Sequence, residues 1–232
     1  MKATKSIPFL PALLACAVTA QADVSGNVAL TTDYVWRGVS QSDEDMAVQG
    51  GFDYSHDSGL YAGVWGSNVD FDEGVDDPAD MELDLYGGYA TEIEGISADV
   101  GVIHYRYPGT DADLDWTEFY LSLGFDAFSA SINYSNDVFN ADEDGIYYSL
   151  GYGREIGSTG FSVSAHVGYY DFDNDLTGSG NPDSYTDWQL GVATTLAGLD
   201  LDLSYFDTDS DGEDLFGNWA EERLVLTVSK SL

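Results

Sequence analysis

The sequence is poor in cysteine and in basic residues, and both shortages narrow what the protein can be. Its single cysteine, Cys16, lies in an N-terminal leader predicted to be cleaved, so the mature chain would hold no disulfide and no cysteine-ligated metal. Lysine and arginine together number 7, against 42 aspartate and glutamate residues. Phosphate backbones are bound by basic side chains, so this composition excludes nucleic acid as a natural partner.

Long hydrophobic runs are also missing. After the leader, no stretch approaches the roughly 18 consecutive apolar residues that a membrane-spanning helix needs. Aromatic residues nevertheless make up 14% of the chain and hydrophobic residues 44%, far more than a disordered acidic segment would carry. The remaining alternatives are a soluble β-protein and a membrane β-barrel.

The first 22 residues have the layout of a secretory signal peptide. Two lysines precede a short apolar run, and Ala20-Gln21-Ala22 places small residues at the cleavage site, which predicts a mature domain at 23–232. A lipoprotein modified at Cys16 is the alternative. Cleavage removes two of the seven basic residues and none of the acidic ones, so five basic residues would face 42 acids.

The dominant period of the mature chain is two. From Val24 to Trp36 the even positions are mostly apolar and the odd positions mostly polar, and Arg37 continues the polar row. The alternation returns along the chain and, with two less regular segments at 60–69 and 96–107, predicts about twelve strands of roughly 9–12 residues, the length of a tilted membrane strand. Within 96–107 the apolar register shifts after Val102, which predicts a bulge.

The connections between these segments alternate in length. Short turns follow one end of each strand pair, and long acidic loops follow the other, as in outer-membrane barrels. Aromatic residues, Tyr34 and Trp36 among them, lie near strand ends and are predicted to form lipid-interface girdles. The pattern predicts an all-β, transmembrane, antiparallel up-and-down barrel with short periplasmic turns and longer acidic extracellular loops; a soluble β-sandwich is the rival.

Three stretches carry a family resemblance. "YVWRGVSQS" at 34–42, "AVQGGFDYSHDSGLYAGVWGSNVDF" at 47–71 and "ELDLYGGY" at 82–89 resemble the TorF-type porin family, also called Gcw_chp, of Gram-negative bacteria. The resemblance implies an outer-membrane barrel with a porin role, surrounded by outer-membrane lipid and inserted by the barrel assembly machinery. The final Leu232 departs from the terminal aromatic residue usual in such barrels.

Charged residues of the polar face are predicted to line the lumen. They are Arg37, Arg223, Asp33, Asp53, Glu82, Asp84, Glu118, Asp187 and Glu221, with Asp200 and Asp202 on the same face. Their negative field would favour cations. We expect Arg37 and Arg223 to form a basic spot near the extracellular mouth, set against nearby acids. The alternative is a small barrel plugged by its own ion pairs.

Metal and catalytic motifs are weak. Asp207, Asp209 and Asp211 open a D-x-D-x-D-G run that makes a weak calcium candidate, but the closing glutamate of such a loop is replaced by Asn218. A solvated acidic rim is the alternative. The three histidines form no zinc pair. His166 lies beside Ser164 on the polar face, but no catalytic spacing stands out, so neither an enzyme nor a cofactor is predicted.

The predicted function is therefore a porin or channel of the outer membrane. Small polar solutes, cationic or neutral, would diffuse passively through a lumen whose shape and charge select them. The alternative is a non-conducting barrel with a structural or surface-binding role. A lipolytic barrel enzyme is a third, less favoured hypothesis.

Overall fold

A closed antiparallel β-barrel dominates the computed structural model, which describes residues 23–71, 79–110, 114–174, 176 and 180–232. In these residues twelve strands close the barrel, each pairing with its neighbours along the chain and the last pairing with the first. This confirms the predicted fold class. The predicted signal peptide at 1–22 lies outside the described residues.

The elements fall into barrel strands, one small separate hairpin and short helical segments. The strands are β1 (Asp23–Thr31), β2 (Val35–Trp36), β3 (Val39–Ser40), β4 (Ala47–Ser55), β5 (Leu60–Asn68), β6 (Met81–Ile93), β7 (Ile96–Arg106), β8 (Trp116–Phe125), β9 (Phe128–Ser135), β10 (Gly145–Glu155), β11 (Phe161–Phe172), β12 (Ser184–Leu196), β13 (Leu199–Thr208) and β14 (Arg223–Ser231). Helix α1 spans Ser210–Phe216, and 3₁₀ turns span Val138–Asn140 and Gly217–Ala220. Strands β2 and β3 pair only with each other, outside the barrel wall.

Alternation along each barrel strand separates an apolar outside from a crowded inside. On β8, Phe119 and Leu121 are 56% and 43% exposed, whereas the neighbouring Glu118 and Tyr120 are 1% and 3% exposed. A belt of exposed leucine, valine and phenylalanine side chains on this scale would aggregate in water. The belt is therefore the surface that meets the lipid.

The turns on the short side are tight. In the connections β6–β7 and β12–β13, both turn residues have positive φ: 54° and 84° at Glu94 and Gly95, 54° and 80° at Ala197 and Gly198. This is the turn geometry that matches the twist of two antiparallel strands. No helix in the described ranges is long and apolar enough to cross a membrane.

The first strand ends earlier than the alternation predicts. Strand β1 stops at Thr31, and the chain then turns into the barrel instead of continuing along its wall. Tyr34 and Trp36 are only 5% and 8% exposed and lie inside, so their assignment to the lipid-interface girdle is wrong. A period of two reports that a segment has two faces; it does not report whether the apolar face meets lipid or an apolar interior.

The predicted bulge in β7 is absent. The pairing of β7 with β6 runs without interruption from Ile93↔Ile96 to Leu83↔Arg106, and its pairing with β8 is equally regular. Ile103 and Tyr105 simply point inward, where they pack against buried aromatic residues. The sequence pattern changes after Val102 because the lumen itself is apolar at this level, while the strand register stays unchanged.

Candidate functional site

A hairpin occupies the lumen near the extracellular mouth. We call residues 33–42 the lumen hairpin; within it Val35 pairs with Ser40 and Trp36 with Val39. Its tip is Arg37 and Gly38, with φ of 47° and 81°. A Cβ added at Gly38 would lie 2.6 Å from Thr208 Cγ2 and 2.8 Å from Asp187 Cβ, so the tip packs against the wall at β12 and β13 and only glycine fits there.

The base of the lumen hairpin is held by Asp33. Its Oδ1 accepts hydrogen bonds from the Ser40 and Ser42 hydroxyls at 2.7 and 3.0 Å. Its Oδ2 accepts one from Arg223 Nη1 of β14 at 2.9 Å, and both side chains of this ion pair are less than a tenth exposed. One buried carboxylate thus closes the hairpin on itself and ties it to the barrel wall.

Tyr34 adds a second tie near the base. Its hydroxyl donates to Glu82 Oε1 on β6 at 3.1 Å, and its backbone N–H donates to Ser42 Oγ at 2.9 Å. Burial, and then the charge of Glu82, raise the pKa of Tyr34 well above its ordinary value. The phenol therefore keeps its proton and remains a donor.

The tip of the lumen hairpin is held by Arg37. Its Nη2 donates to Glu118 Oε2 on β8 at 2.7 Å, and the two side chains are 7% and 1% exposed. Asn133 Nδ2 donates to the other oxygen, Oε1, at 2.7 Å. The Tyr185 hydroxyl donates to the Arg37 backbone carbonyl at 3.1 Å. This second ion pair has the opposite polarity to the first, because here the hairpin supplies the cation and the wall the anion.

Aromatic rings enclose the Arg37 guanidinium. Its Cζ lies 4.2 Å from the ring centroid of Trp36, 4.1 Å from that of Tyr147 and 4.7 Å from that of Tyr170, all within the range of cation–π attraction. Nη1 is buried and has no hydrogen-bond partner among the described residues. The charge is therefore stabilised chiefly by one carboxylate and three ring faces.

Trp36 is the centre of an apolar cluster inside the barrel. Its ring meets those of Tyr105, Trp116, Phe139 and Tyr170 edge to face, with centroids 5.9–6.2 Å apart. Aromatic rings prefer such edge-to-face contacts. The lumen at this level is a packed core.

Below the lumen hairpin, inward tyrosines lie over inward glycines of the next strand. The Tyr86 ring covers Gly63, where an added Cβ would overlap it, and its hydroxyl donates to Asp53. Two further pairs share the arrangement, Tyr61 over Gly88 and Tyr120 over Gly101. Tyr61 donates to Asp99 Oδ1 at 2.6 Å. Glycine in these strands marks close approach of a ring across the sheet.

A cavity of about 60 Å³, lined by both polar and apolar side chains, lies beside the hairpin base. Thr31, Gln49, Gln189, Ser204 and Thr227 are its polar lining on the barrel wall, and the side-chain oxygen of Gln189 has no partner among the described residues. The lumen is therefore less tightly packed beside the hairpin base than around Trp36.

The structure separates the predicted lumen residues into groups. Asp53, Glu82, Asp84, Glu118 and Asp187 point inward from the wall, as do Asp200 and Asp202 by their register. Asp33 and Arg37 belong to the lumen hairpin, and Arg223 begins β14.

The two arginines of the expected basic spot have different partners, and only Arg223 meets one of the acids expected beside that spot, Asp33. Arg37 pairs with Glu118 and Arg223 with Asp33, so the two arginines share no partner. Glu221 lies outside β14 and is exposed, and only its backbone carbonyl binds Arg223. Glu221 was predicted to point inward from the alternation of polar and apolar residues, but strand β14 begins two residues later, at Arg223.

Glu118 was among the predicted lumen residues, but three other residues that surround the Arg37–Glu118 pair were missed by the sequence reasoning. Asn133, Tyr147 and Tyr170 all lie on the polar face of their strands, and that parity was the one available signal. Nothing in the sequence indicates that Arg37 would reach three strands at once.

The weak calcium candidate gains no support from the geometry. Asp209 caps helix α1 by accepting from the Gly212 N–H at 3.1 Å, and Asp207 accepts from the Tyr205 hydroxyl at 2.9 Å. No group of three or more potential ligands that could hold a metal ion occurs in the described part of the chain. Asp211 lies in the first turn of α1, where a negative charge favours the helix dipole.

The solved structures that resemble this barrel include a porin and other membrane proteins. The NanC porin aligns with a TM-score of 0.55 at 10% identity, covering 89% of this chain and 98% of that one. A second structure, from work on in-meso crystallisation of membrane proteins, gives 0.53 at 11% identity over 90% and 83%. An outer-membrane channel of Pseudomonas putida F1 gives 0.49 at 12% identity over 93% and 96%. At these identities the first two likenesses show the fold alone.

No curated protein sequence matches the chain. A family model does match it, over residues 15–232, and is described as "Bacterial protein of unknown function (Gcw_chp)". The match covers the whole of the barrel described above, which has the fold of the NanC porin. The protein is therefore a member of the Gcw_chp family and a channel-like β-barrel of the bacterial outer membrane.

Proposed function

We propose that the protein is a channel for small cations and neutral polar solutes, and that the lumen hairpin holds it closed in this structure. The observation that carries the proposal is that the lumen is occupied by the hairpin, which is not part of the barrel wall. The lumen contains a segment that pairs with no barrel strand, and the wall remains a complete barrel without it. Transport would be passive, with no covalent step.

The charge of the lumen supports a preference for cations. Among the described residues, Arg37 and Arg223 are the arginine or lysine side chains that lie inside. Arg37 is paired with Glu118, and Arg223 with Asp33 at 2.9 Å and with the more exposed Glu44 at 4.0 Å. Asp53 and Asp187, which also point inward, form no ion pair with an arginine or lysine among the described residues. A pathway lined in this way concentrates cations and repels anions.

The non-conducting barrel is the second candidate. The observation that favours it is the packed aromatic cluster around Trp36, which fills the lumen at the level of the hairpin. In that case the hairpin would be a permanent part of the core.

Conductance in planar bilayers separates the two candidates. The Tyr34 carbonyl accepts from the Gln41 N–H at 2.6 Å, so the hairpin can be cut short at this point and residues 35–40 replaced by an Asn-Gly turn. We expect the shortened protein to show discrete steps of larger unit conductance than the wild type, with a reversal potential that indicates cation preference.

The control is Arg106→Ala. Arg106 also pairs with an aspartate, Asp115, but the pair is at the surface, with side chains 49% and 31% exposed. Its loss should leave the unit conductance unchanged. Silence from both the wild type and the shortened protein, each shown to be folded by its heat-modifiable migration in electrophoresis, would establish the non-conducting barrel instead.

A further inference from the structure

The pocket that holds the Arg37 guanidinium is built mostly from the barrel wall. Glu118 of β8 supplies the carboxylate, and Tyr147 of β10 and Tyr170 of β11 supply two ring faces at 4.1 and 4.7 Å from Cζ. Of the groups closest to the guanidinium, only Trp36 comes from the lumen hairpin itself. We call Glu118, Tyr147 and Tyr170 the wall pocket.

The wall pocket is held in shape by contacts that do not involve the hairpin. Asn133 fixes Oε1 of Glu118 and leaves Oε2 for a ligand. The Tyr147 hydroxyl donates to Asp187 Oδ2 at 2.8 Å and lies 2.8 Å from His166 Nε2. Both the carboxylate and the nearer ring are therefore positioned before any cation arrives, which reduces the entropy lost on binding.

The geometry suits a guanidinium better than an ammonium ion. A planar, delocalised cation can stack on ring faces while its N–H groups meet a carboxylate, and it is more weakly hydrated than an ammonium ion. The residue in the pocket does both at once: Nη2 meets Glu118 at 2.7 Å while Cζ lies over the rings. Arg37 thus shows how a guanidinium is accommodated.

We propose that the wall pocket is a recognition site for solutes bearing a guanidinium group, and that Arg37 occupies it as a built-in competitor when the lumen is closed. The inference deepens the proposed channel function, because it names the class of cation that the lumen binds. A guanidinium solute takes the place of Arg37 when the hairpin swings out. The same pocket then serves first to close the lumen and next to select what enters it.

The test is binding to the protein with the competitor removed. Arg37→Ala and, as a second variant that keeps more of the packing, Arg37→Gln are purified in detergent and titrated with methylguanidinium, methylammonium and the neutral isostere methylurea, following tryptophan fluorescence and thermal shift. We expect methylguanidinium to bind at least about tenfold more tightly than the other two, a difference of roughly 1.4 kcal/mol. Adding Glu118→Gln to either variant should abolish the preference.

The experiment distinguishes failure of the recognition site from failure of the proposed channel. Equal affinity for the three probes, or an unchanged preference after Glu118→Gln, would overturn the recognition site whether or not the barrel conducts. Selective binding by a barrel that is silent in bilayers would overturn the channel and leave the site. In a conducting Arg37→Ala protein, methylguanidinium should also block the potassium current at lower concentration than methylammonium.

Discussion

At the residue scale, two arginines that each pair with a carboxylate differ in how much the ion pair matters for stability. Arg37 and Arg106 each meet one carboxylate, but the Arg37 pair is almost completely buried and the Arg106 pair is largely exposed. Exposed pairs contribute little because water and salt screen them. Removing one member of a buried pair leaves an uncompensated charge without solvent, which is strongly destabilising. The difference comes from burial, since both donor–acceptor distances are short.

Glu118→Gln tests this difference in stability. The neutral amide leaves the Arg37 guanidinium buried without a counter-charge, and we expect the free energy of unfolding to fall by about 3–5 kcal/mol. Arg106→Ala should change it by about 0–1 kcal/mol. The measurement is the unfolding transition in urea with lipid vesicles. Similar losses in both variants would mean that Arg37 is compensated by its rings alone.

The glycines under the lumen tyrosines give a second residue-scale prediction. In Gly63→Ala the new methyl group overlaps the Tyr86 ring, so we expect a loss of about 1–3 kcal/mol from forced displacement. In a Tyr86→Ala background the same change should cost far less, and the double-mutant cycle gives the coupling. Gly26→Ala is the control, because its neighbour at 3.2 Å is the Phe52 side chain on the outer face. Additive effects at Gly63 and Tyr86 would contradict the overlap.

At the scale of elements, the lumen hairpin is fastened at two ends by ion pairs of opposite polarity. Asp33 at the base meets Arg223 on β14, and Arg37 at the tip meets Glu118 on β8. Two opposite polarities fix the orientation of the hairpin, because reversing it would bring like charges together.

The barrel strands themselves could be predicted from the sequence, since alternation is a local property of the chain. It did not reveal the inward turn at Thr31, because Tyr34 and Trp36 keep the apolar parity in either position.

Exchanging the charges of Asp33 and Arg223 tests whether their ion pair holds the base of the lumen hairpin. Asp33→Arg alone places two cations together, so the hairpin base should loosen and chymotrypsin should cut after Tyr34 or Trp36, which are buried in the wild type. Adding Arg223→Asp should restore the ion pair with its polarity reversed and slow the cleavage. Equal cleavage rates in the single and double variants, measured by mass spectrometry of the fragments, would show that the ion pair does not hold the base.

At the scale of the whole molecule, the chain separates three environments: an apolar belt, an acidic exterior at the loops, and a lumen that is aromatic on one side and polar on the other. The net charge of −35 is spread mainly over loops and lumen, since the outward rows of the strands are apolar. The belt and loops were predictable from composition and period. The aromatic half of the lumen was not, because apolar residues on an inward row look like a shift of register, as Ile103 and Tyr105 did.

The charge of the whole molecule predicts how selectivity depends on salt. At about 0.1 M salt the Debye length is about 10 Å, so acids of the loops and the lumen act together on an entering ion. At about 1 M it falls to about 3 Å and only the nearest groups count. We therefore expect cation preference, measured as reversal potential across a potassium chloride gradient in the hairpin-shortened protein, to decline as salt rises. Anion preference at low salt would contradict the prediction.

The seam where the last strand pairs with the first also determines when the base of the lumen hairpin can be completed. Strands β1 and β14 pair only from Asn27↔Ser231 to Thr31↔Thr227, whereas β1 and β4 pair along all of β1. Asp33 follows β1 directly and its partner Arg223 opens β14, so this ion pair crosses the seam. Unlike the contacts of Tyr34 with Glu82 and of Arg37 with Glu118, this ion pair cannot form until the final strand is in place. Closing the wall and completing the ion pair at the hairpin base are therefore one event.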